Sequence, residues 1–270
     1  MNWLKRNELA VFLFLAFALS WWPWPINLVN PKSTPMIPWG PMFAAFIVLG
    51  LTRGRAGVKS LLADMFRWRV GARWYALAFL LPIGITFAAV YLNAAMGGPT
   101  PDASVFAVNE LLLLVPSLVI TTLIAGPFTE EPAWRGFYLP RLQTKYSPLI
   151  ASLIIGVIWW SWHLPLMISD PTGQRPPLQF LFMTFAFSIL YTWIYNNAKA
   201  SLFLIALFHG VTNTFAGFLF RHLFGEYYSQ LWWIYVALWW MVTLFVVLRS
   251  HVQVNANQTV LVESLEKSSS

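Results

Sequence analysis

The chain has 270 residues, of which 58% are hydrophobic and only 10% are charged, and its formal net charge is +7. Soluble domains carry roughly 25% charged residues, so this composition excludes an ordinary soluble protein, and 17% aromatic residues exclude a disordered chain. Such a composition is typical of a polytopic helical membrane protein. The chain has no cysteine, which excludes disulfides, thiolate metal sites and a cysteine nucleophile.

Long apolar runs divide the chain into predicted membrane spans. In chain order they are Leu9–Trp22, Met36–Leu51, Trp74–Met96, Leu111–Phe128, Pro148–Ile168, Leu178–Tyr195, Ala200–Phe220 and Leu231–Leu248. They are too long and too uniformly apolar for the alternating strands of a β-barrel. We therefore expect an all-α membrane domain of about eight transmembrane helices at 1–250, with the active site inside the bundle, followed by a polar cytosolic tail at 251–270.

The first run has two interpretations. Lys5 and Arg6 precede it, and Ala16-Phe17-Ala18 resembles the cleavage motif of a secretory signal peptide. The segment that follows, 21–25, is bulky and aromatic, which is typical of a membrane interface. Because seven more runs follow, a retained first helix is favoured over a cleaved signal peptide.

The basic residues predict the orientation of the chain. With the N-terminus inside and eight spans, the inner segments hold 14 of the 17 Lys and Arg residues, and the outer segments hold only Lys32, Arg175 and Arg221. This is the positive-inside pattern, so we expect both termini in the cytoplasm. The same pattern explains the positive net charge without a nucleic-acid partner. The basic segment 53–73 is either an interfacial amphipathic helix or a plain cytoplasmic loop.

Ionisable groups within membrane spans are costly and are therefore functional candidates. Glu131 and Arg135 are four residues apart, so on a helix they can pair. Glu130 would then face elsewhere without a cation, and an unpaired carboxylate in an apolar site can act as a general base. The alternative is that both glutamates are hydrated at the membrane surface.

Two histidines lie within later runs. His163 follows Trp159 by one helical turn, so the indole can wall the imidazole; alternatively, His163 is a packing residue bonded to a backbone carbonyl or to Ser161. His209 and Asn213 are also one turn apart and can donate two hydrogen bonds into one cavity, as an oxyanion site requires. Their alternative role is hydrogen bonding between helices.

Taken in order, these residues form three motifs. They are E-E-x-x-x-R at Glu130 to Arg135, aromatic-x-x-x-H at Trp159 to His163, and H-x-x-x-N at His209 to Asn213. The combination resembles the CPBP intramembrane proteases, which comprise the type II CAAX prenyl endopeptidases and the bacterial Abi or bacteriocin-immunity proteins. The resemblance covers about 111–220. The second motif usually begins with Phe, and Trp159 here affects the shape of the pocket.

The resemblance implies a role for each motif residue. Glu130 would be the catalytic base that activates water together with His163, and His209 and Asn213 would stabilise the oxyanion. Structural support would come from Glu131, Arg135 and Trp159. The reaction would be hydrolysis of a peptide bond in a membrane-associated protein or peptide, either a prenylated CAAX protein or a peptide precursor, near the cytoplasmic face of the plasma membrane. The partners would be this substrate and the lipid bilayer.

The resemblance leaves the cofactor open. The family is labelled metalloprotease, and a zinc site needs three protein ligands and an open position, which Glu130, His163 and His209 would supply. Water activated by glutamate without a metal is the alternative, and the sequence contains no H-E-x-x-H.

Two other classes of protein compete with a protease. One is a non-catalytic scaffold or immunity protein of the same fold. The other is a solute transporter, which would need an inverted repeat or coupled carboxylates that the sequence lacks.

The depth of the candidate residues is a difficulty for straight helices. Glu130 would lie at the inner boundary, His209 near the middle of the membrane and His163 beyond it. The fourth helix must therefore tilt or break, and Gly126-Pro127 and Pro132 offer break points. Because hydrolysis needs water, we expect a cavity that opens to the cytosol.

Overall fold

The structure, a computed structural model, describes residues 2–170 and 173–268, with side chains described for 3–170 and 173–250. Within these residues the secondary structure is helical. The principal helices are α1 Glu8–Trp21, α2 Gly40–Met65, α3 Ala72–Ala95, α4 Val108–Leu123, α5 Pro148–Trp162, α6 Pro177–Asn197, α7 Leu202–Phe220 and α8 Tyr228–Ser268. Shorter helices at Asn2–Arg6, Trp24–Val29 and Leu164–Ile168 lie between them or before them.

Each of the eight apolar runs therefore corresponds to a principal helix, and the chain is an integral membrane protein of the all-α class. Six helical segments in the described residues are long and apolar enough to cross a membrane, and they include every principal helix except α2 and α5. Helix α5 is apolar but has only 15 residues. Helix α2 carries basic residues and is kinked at Gly54, where φ is 61°. The predicted tail 251–270 lies outside the residues whose side chains are described.

Serine and proline residues set the starts of two helices that carry the site. The Ser147 hydroxyl accepts a hydrogen bond from the Ile150 N–H at 3.3 Å. Pro148 occupies the first turn of α5, where an N–H group would have no partner within the helix, so proline costs no hydrogen bond there. Ser201 caps α7 in the same way through the Leu204 N–H at 3.1 Å. These caps fix where α5 and α7 begin, and therefore where His163 and His209 lie along them.

The fourth span is broken, as the sequence predicts. Helix α4 ends at Leu123, and the chain re-enters helix at Pro127–Glu131, then forms a π-helix at Pro132–Tyr138 and a last turn at Leu139–Gln143. Gly126 makes the break, with φ at 151°, a conformation that residues with a side chain rarely adopt. The span from Val108 to Gln143 therefore continues well beyond Phe128, where the apolar run ends.

Contacts between loops define two ends of the bundle. At one end, which we call the basic end, Arg141 pairs with Glu8 at 2.8 Å and Arg53 lies 3.8 Å from the same carboxylate. The Ser201 hydroxyl also donates to the Arg67 carbonyl there. The basic end thus brings together the first residues of α1 with the loops that the charge pattern assigns to the cytoplasm.

The other end, which we call the mouth end, joins the remaining loops. The Trp21 indole donates to the Trp162 carbonyl at 3.0 Å, and the Tyr228 hydroxyl donates to the Gln174 carbonyl at 3.1 Å. Arg221 pairs with Glu110 at 3.1 Å across the same end. The mouth end therefore collects the ends of α1, α5 and α7 and the starts of α4 and α8.

Candidate functional site

All four residues predicted to carry chemistry line one cavity of about 450 Å³: Glu130, His163, His209 and Asn213. Trp159 and Trp162 form part of its wall, together with apolar side chains from α6 and α7. The three motifs, separated by up to 83 positions in the chain (130 to 213), thus meet around one space.

Glu130 is buried in this wall, with only 4% of its surface exposed. Its Oε2 accepts a hydrogen bond from the indole Nε1–H of Trp159 at 2.6 Å. No Lys, Arg or His nitrogen of the described residues lies within ion-pair distance of it. The expectation of a buried, unpaired carboxylate is confirmed, and the alternative of two hydrated surface glutamates is wrong.

Glu131 and Arg135 form the predicted pair and are both completely buried. Arg135 Nη1 lies 3.1 Å from Oε1 and 3.0 Å from Oε2 of Glu131, and only the Oε1 contact has hydrogen-bond geometry. The guanidinium also lies over the rings of Trp159 and Tyr191, at 4.7 and 4.9 Å from their centroids. Because each charge is compensated locally, this pair can lie inside the span.

His163 ends α5, and its ring is held by its own helix. Nδ1 lies 2.8 Å from the Trp159 carbonyl oxygen. A carbonyl only accepts, so Nδ1 carries the hydrogen, and Nε2 of the neutral ring is left as an acceptor. The backbone bond was expected of a packing histidine and the wall by Trp159 of a functional one; both contacts are present, with the two rings 5.8 Å apart, so they do not decide between the two roles.

The contact that holds the His209 ring was not predicted from the sequence. Its Nδ1 lies 2.9 Å from Oε1 of Glu131, so the carboxylate bridges His209 and Arg135. Its ring stands edge-on to Trp159 at 5.4 Å. Asn213, one turn later on α7, is exposed to the cavity. The expectation that His209 and Asn213 share one face and one cavity is confirmed.

The break in the fourth span explains how Glu130 reaches the histidines. The sequence placed Glu130 at the inner boundary because the apolar run ends at Phe128; that placement is wrong, since the helical span continues to Gln143. Thr129 anchors the break, donating from its hydroxyl to the Gly126 carbonyl at 2.8 Å and lying 3.1 Å from the Pro38 carbonyl. Hydropathy ends a span at charged residues, but here Glu131 and Arg135 neutralise each other in the interior.

The three residues that the resemblance names as metal ligands lie around the same cavity. Glu130, His163 and His209 line the cavity, yet among the described side chains no three His, Asp or Glu groups are arranged to hold a metal ion. Glu130 Oε2 is engaged with the Trp159 indole. As they lie in the described part of the chain, Glu130, His163 and His209 are not arranged as a zinc site.

The cavity opens at the mouth end of the bundle. It extends from Glu130 and His209 to Gln174, Arg175 and Arg221, which are exposed there. The predicted cytoplasmic termini and the predicted opening to the cytosol are therefore incompatible, because the chain begins at the basic end. In the orientation that the charge pattern predicts, the mouth end, with its few basic residues, would lie on the outer side of the membrane.

The sequence did not predict the roles that two further residues have in this site. Tyr191 lies in an apolar run without a motif, yet its ring covers Arg135 and lies 5.6 Å from the His209 ring. Gly126 was identified only as a break point. A Cβ at this position would lie 2.5 Å from Glu130 Oε1, so the glycine also leaves room for the carboxylate.

A comparison with known protein families matches the part of the chain that carries the motifs. A family model described as type II CAAX prenyl endopeptidase Rce1-like matches residues 112–215, a stretch that contains all three motifs. A relative from Methanococcus maripaludis, CAAX prenyl protease 2, is 22% identical over 182 residues, which cover 64% of this chain and 67% of the relative. Over the stretch that carries the motifs, the chain is therefore similar to the type II CAAX prenyl endopeptidases.

Proposed function

We propose that this chain is a glutamate-dependent intramembrane endopeptidase in which Glu130 activates the attacking water. One observation carries the proposal: a buried carboxylate with no ion-pair partner among the described residues lines a cavity together with two imidazoles and an amide. The similarity to type II CAAX prenyl endopeptidases supports the activity of a membrane protease, and the assignment of roles to individual residues is ours.

In the proposed reaction, Glu130 takes a proton from water as the water oxygen attacks the carbonyl carbon of the scissile peptide bond. His163 Nε2 is an acceptor and can orient the same water. The electron pair of the carbonyl moves to its oxygen, giving a tetrahedral oxyanion. When the intermediate collapses, the C–N bond breaks and Glu130 returns its proton to the leaving amine, so that a carboxylic acid and an amine are released.

His209 and Asn213 would stabilise the oxyanion. The Asn213 amide supplies an N–H donor from the cavity wall. Since His209 Nδ1 already donates to Glu131, donation from its Nε2 requires the imidazolium form, whose positive charge the Glu131 carboxylate would compensate. Glu131 and Arg135 would thus act on the reaction through the position and charge of His209.

The proposed substrate is a membrane-associated protein or peptide. The Methanococcus relative is named as a CAAX prenyl protease, and a prenylated C-terminus is one candidate substrate for this chain. The cavity walls suit an apolar segment, since Phe180, Met183, Phe187 and Phe220 line them. A peptide precursor in the membrane is the other candidate.

The test compares wild-type protein with the Glu130→Gln variant. Glutamine keeps the shape of the side chain but cannot take a proton, so we expect a loss of at least about a thousandfold in kcat with an unchanged fold. Peptides of membrane fractions from cells that carry either form would be compared by mass spectrometry. Peptides cut only by the wild type identify the substrate.

An unchanged peptide pattern with Glu130→Gln would contradict the proposal and favour the rival function, a non-catalytic scaffold or immunity protein, whose phenotype the variant would retain. Exhaustive chelation of an active purified preparation tests the metal separately. Activity that survives chelation supports metal-free activation, and activity that zinc alone restores would contradict it.

A further inference from the structure

Trp159 makes a hydrogen bond to Glu130 that an aromatic ring without an N–H group could not make. The indole Nε1–H donates to Glu130 Oε2 at 2.6 Å, and both residues are buried. A carboxylate away from water needs donors, and a hydrogen bond to a charged group is stronger than one between neutral groups. Phe, which usually occupies this position in the family that the motifs resemble, has no such donor.

The surroundings of Trp159 hold the indole in one orientation. Its ring lies under the Arg135 guanidinium at 4.7 Å, and it stands at steep angles to the rings of His163 and His209. Its backbone carbonyl meanwhile accepts from His163 Nδ1. One residue therefore contacts both the proposed base and the imidazole that would share its water.

We propose that Trp159 is a positioning residue that holds the Glu130 carboxylate in place through its indole N–H and so sets the geometry of water activation. This inference rests on the function proposed above. It assigns to Trp159 a hydrogen-bonding role beyond that of an aromatic wall.

The proposal is tested with Trp159→Phe, which keeps an aromatic ring and removes the donor. We expect kcat to fall about tenfold with KM changed less than twofold, because the cavity keeps its wall while the base loses its support. A wall or substrate-binding role would instead raise KM. A merely structural role would lower the fraction of active enzyme without lowering kcat per active site.

Trp160→Phe is the matched control on the same helix. The Trp160 indole donates to the Pro177 carbonyl at 3.0 Å and does not line the cavity. The same chemical change should leave kcat and KM unchanged there. Equal losses in the two variants would contradict the proposal, because they would trace the effect to the helix.

A second variant keeps the shape of the indole in case Trp159→Phe folds poorly. Replacing Trp159 with benzothienylalanine puts sulfur where the N–H group is, so the ring size is retained and the donor is lost. The same tenfold fall in kcat is expected, and wild-type kcat in this variant would overturn the proposal. If Glu130→Gln itself remains active, the proposed function fails; if only the Trp159 variants remain active, this inference alone fails.

Discussion

At the scale of single residues, the two adjacent glutamates have different roles because their partners differ. Glu131 is compensated by Arg135 and lies against His209, whereas Glu130 has the Trp159 indole as its donor. The i,i+4 spacing predicted the Glu131–Arg135 pair, because on a helix that spacing brings the side chains together. The contact between Glu131 and His209 joins positions 78 apart, which no local spacing predicts.

This difference predicts unequal effects of two substitutions on stability. Glu131→Gln leaves the Arg135 guanidinium charged and completely buried without its carboxylate. We therefore expect the free energy of unfolding to fall by about 3 kcal/mol. Glu130→Gln removes a buried carboxylate that has no ion-pair partner in the described part of the chain, so the stability of this variant should stay within about 1 kcal/mol of wild type. Thermal unfolding of both variants in one detergent measures the contrast. Equal melting temperatures would argue against the assignment of the pair.

At the scale of elements, the broken fourth span carries the base into the bundle. Gly126-Pro127 and Pro132 were identified as break points from the sequence, since proline lacks an N–H and glycine adopts unusual backbone angles. The chain does break at 124–126 and continues as a π-helix from Pro132. The end of the span was misplaced, because hydropathy counts Glu131 and Arg135 as boundary residues even though they compensate each other.

The break gives a prediction for Gly126→Ala. The backbone has φ of 151°, and the new Cβ would lie 2.5 Å from Glu130 Oε1, so the carboxylate must move. We expect kcat to fall at least about tenfold, with stability lowered by roughly 1–3 kcal/mol from backbone strain. Gly84→Ala, in the interior of α3 with no atom within 4 Å of its Cβ, is the control and should retain wild-type kcat. Retention of wild-type kcat by Gly126→Ala would show that Glu130 tolerates the displacement.

At the scale of the whole molecule, the direction of the cavity and the distribution of charge are coupled. The cavity opens among loops that carry Arg175 and Arg221, whereas the opposite end gathers the basic segment 53–73. The charge pattern predicts on which side the termini lie, and the need for water predicts on which side the cavity opens, and neither prediction depends on the other. Only the packed bundle reveals that termini and cavity lie at opposite ends.

The absence of cysteine makes this sidedness measurable. Gln174→Cys at the mouth end and Thr144→Cys at the basic end each introduce one thiol at an exposed, uncharged position. With a membrane-impermeant maleimide on intact cells, we expect Gln174→Cys to be labelled and Thr144→Cys to react only after permeabilisation. The reverse pattern would place the termini outside and the cavity toward the cytosol.

The sequence by itself predicted the fold class, the approximate place of every principal helix and the resemblance to the CPBP proteases. Composition and run length report burial in lipid directly, and the three motifs lie within single helical turns, where spacing dictates which side chains share a face. Only the tertiary structure decided that Glu131 serves His209, that Trp159 donates to Glu130, that the base lies inside the span, and that the cavity opens away from the termini. Those facts depend on contacts between helices far apart in the chain, and hydropathy carries no information about how helices pack against one another.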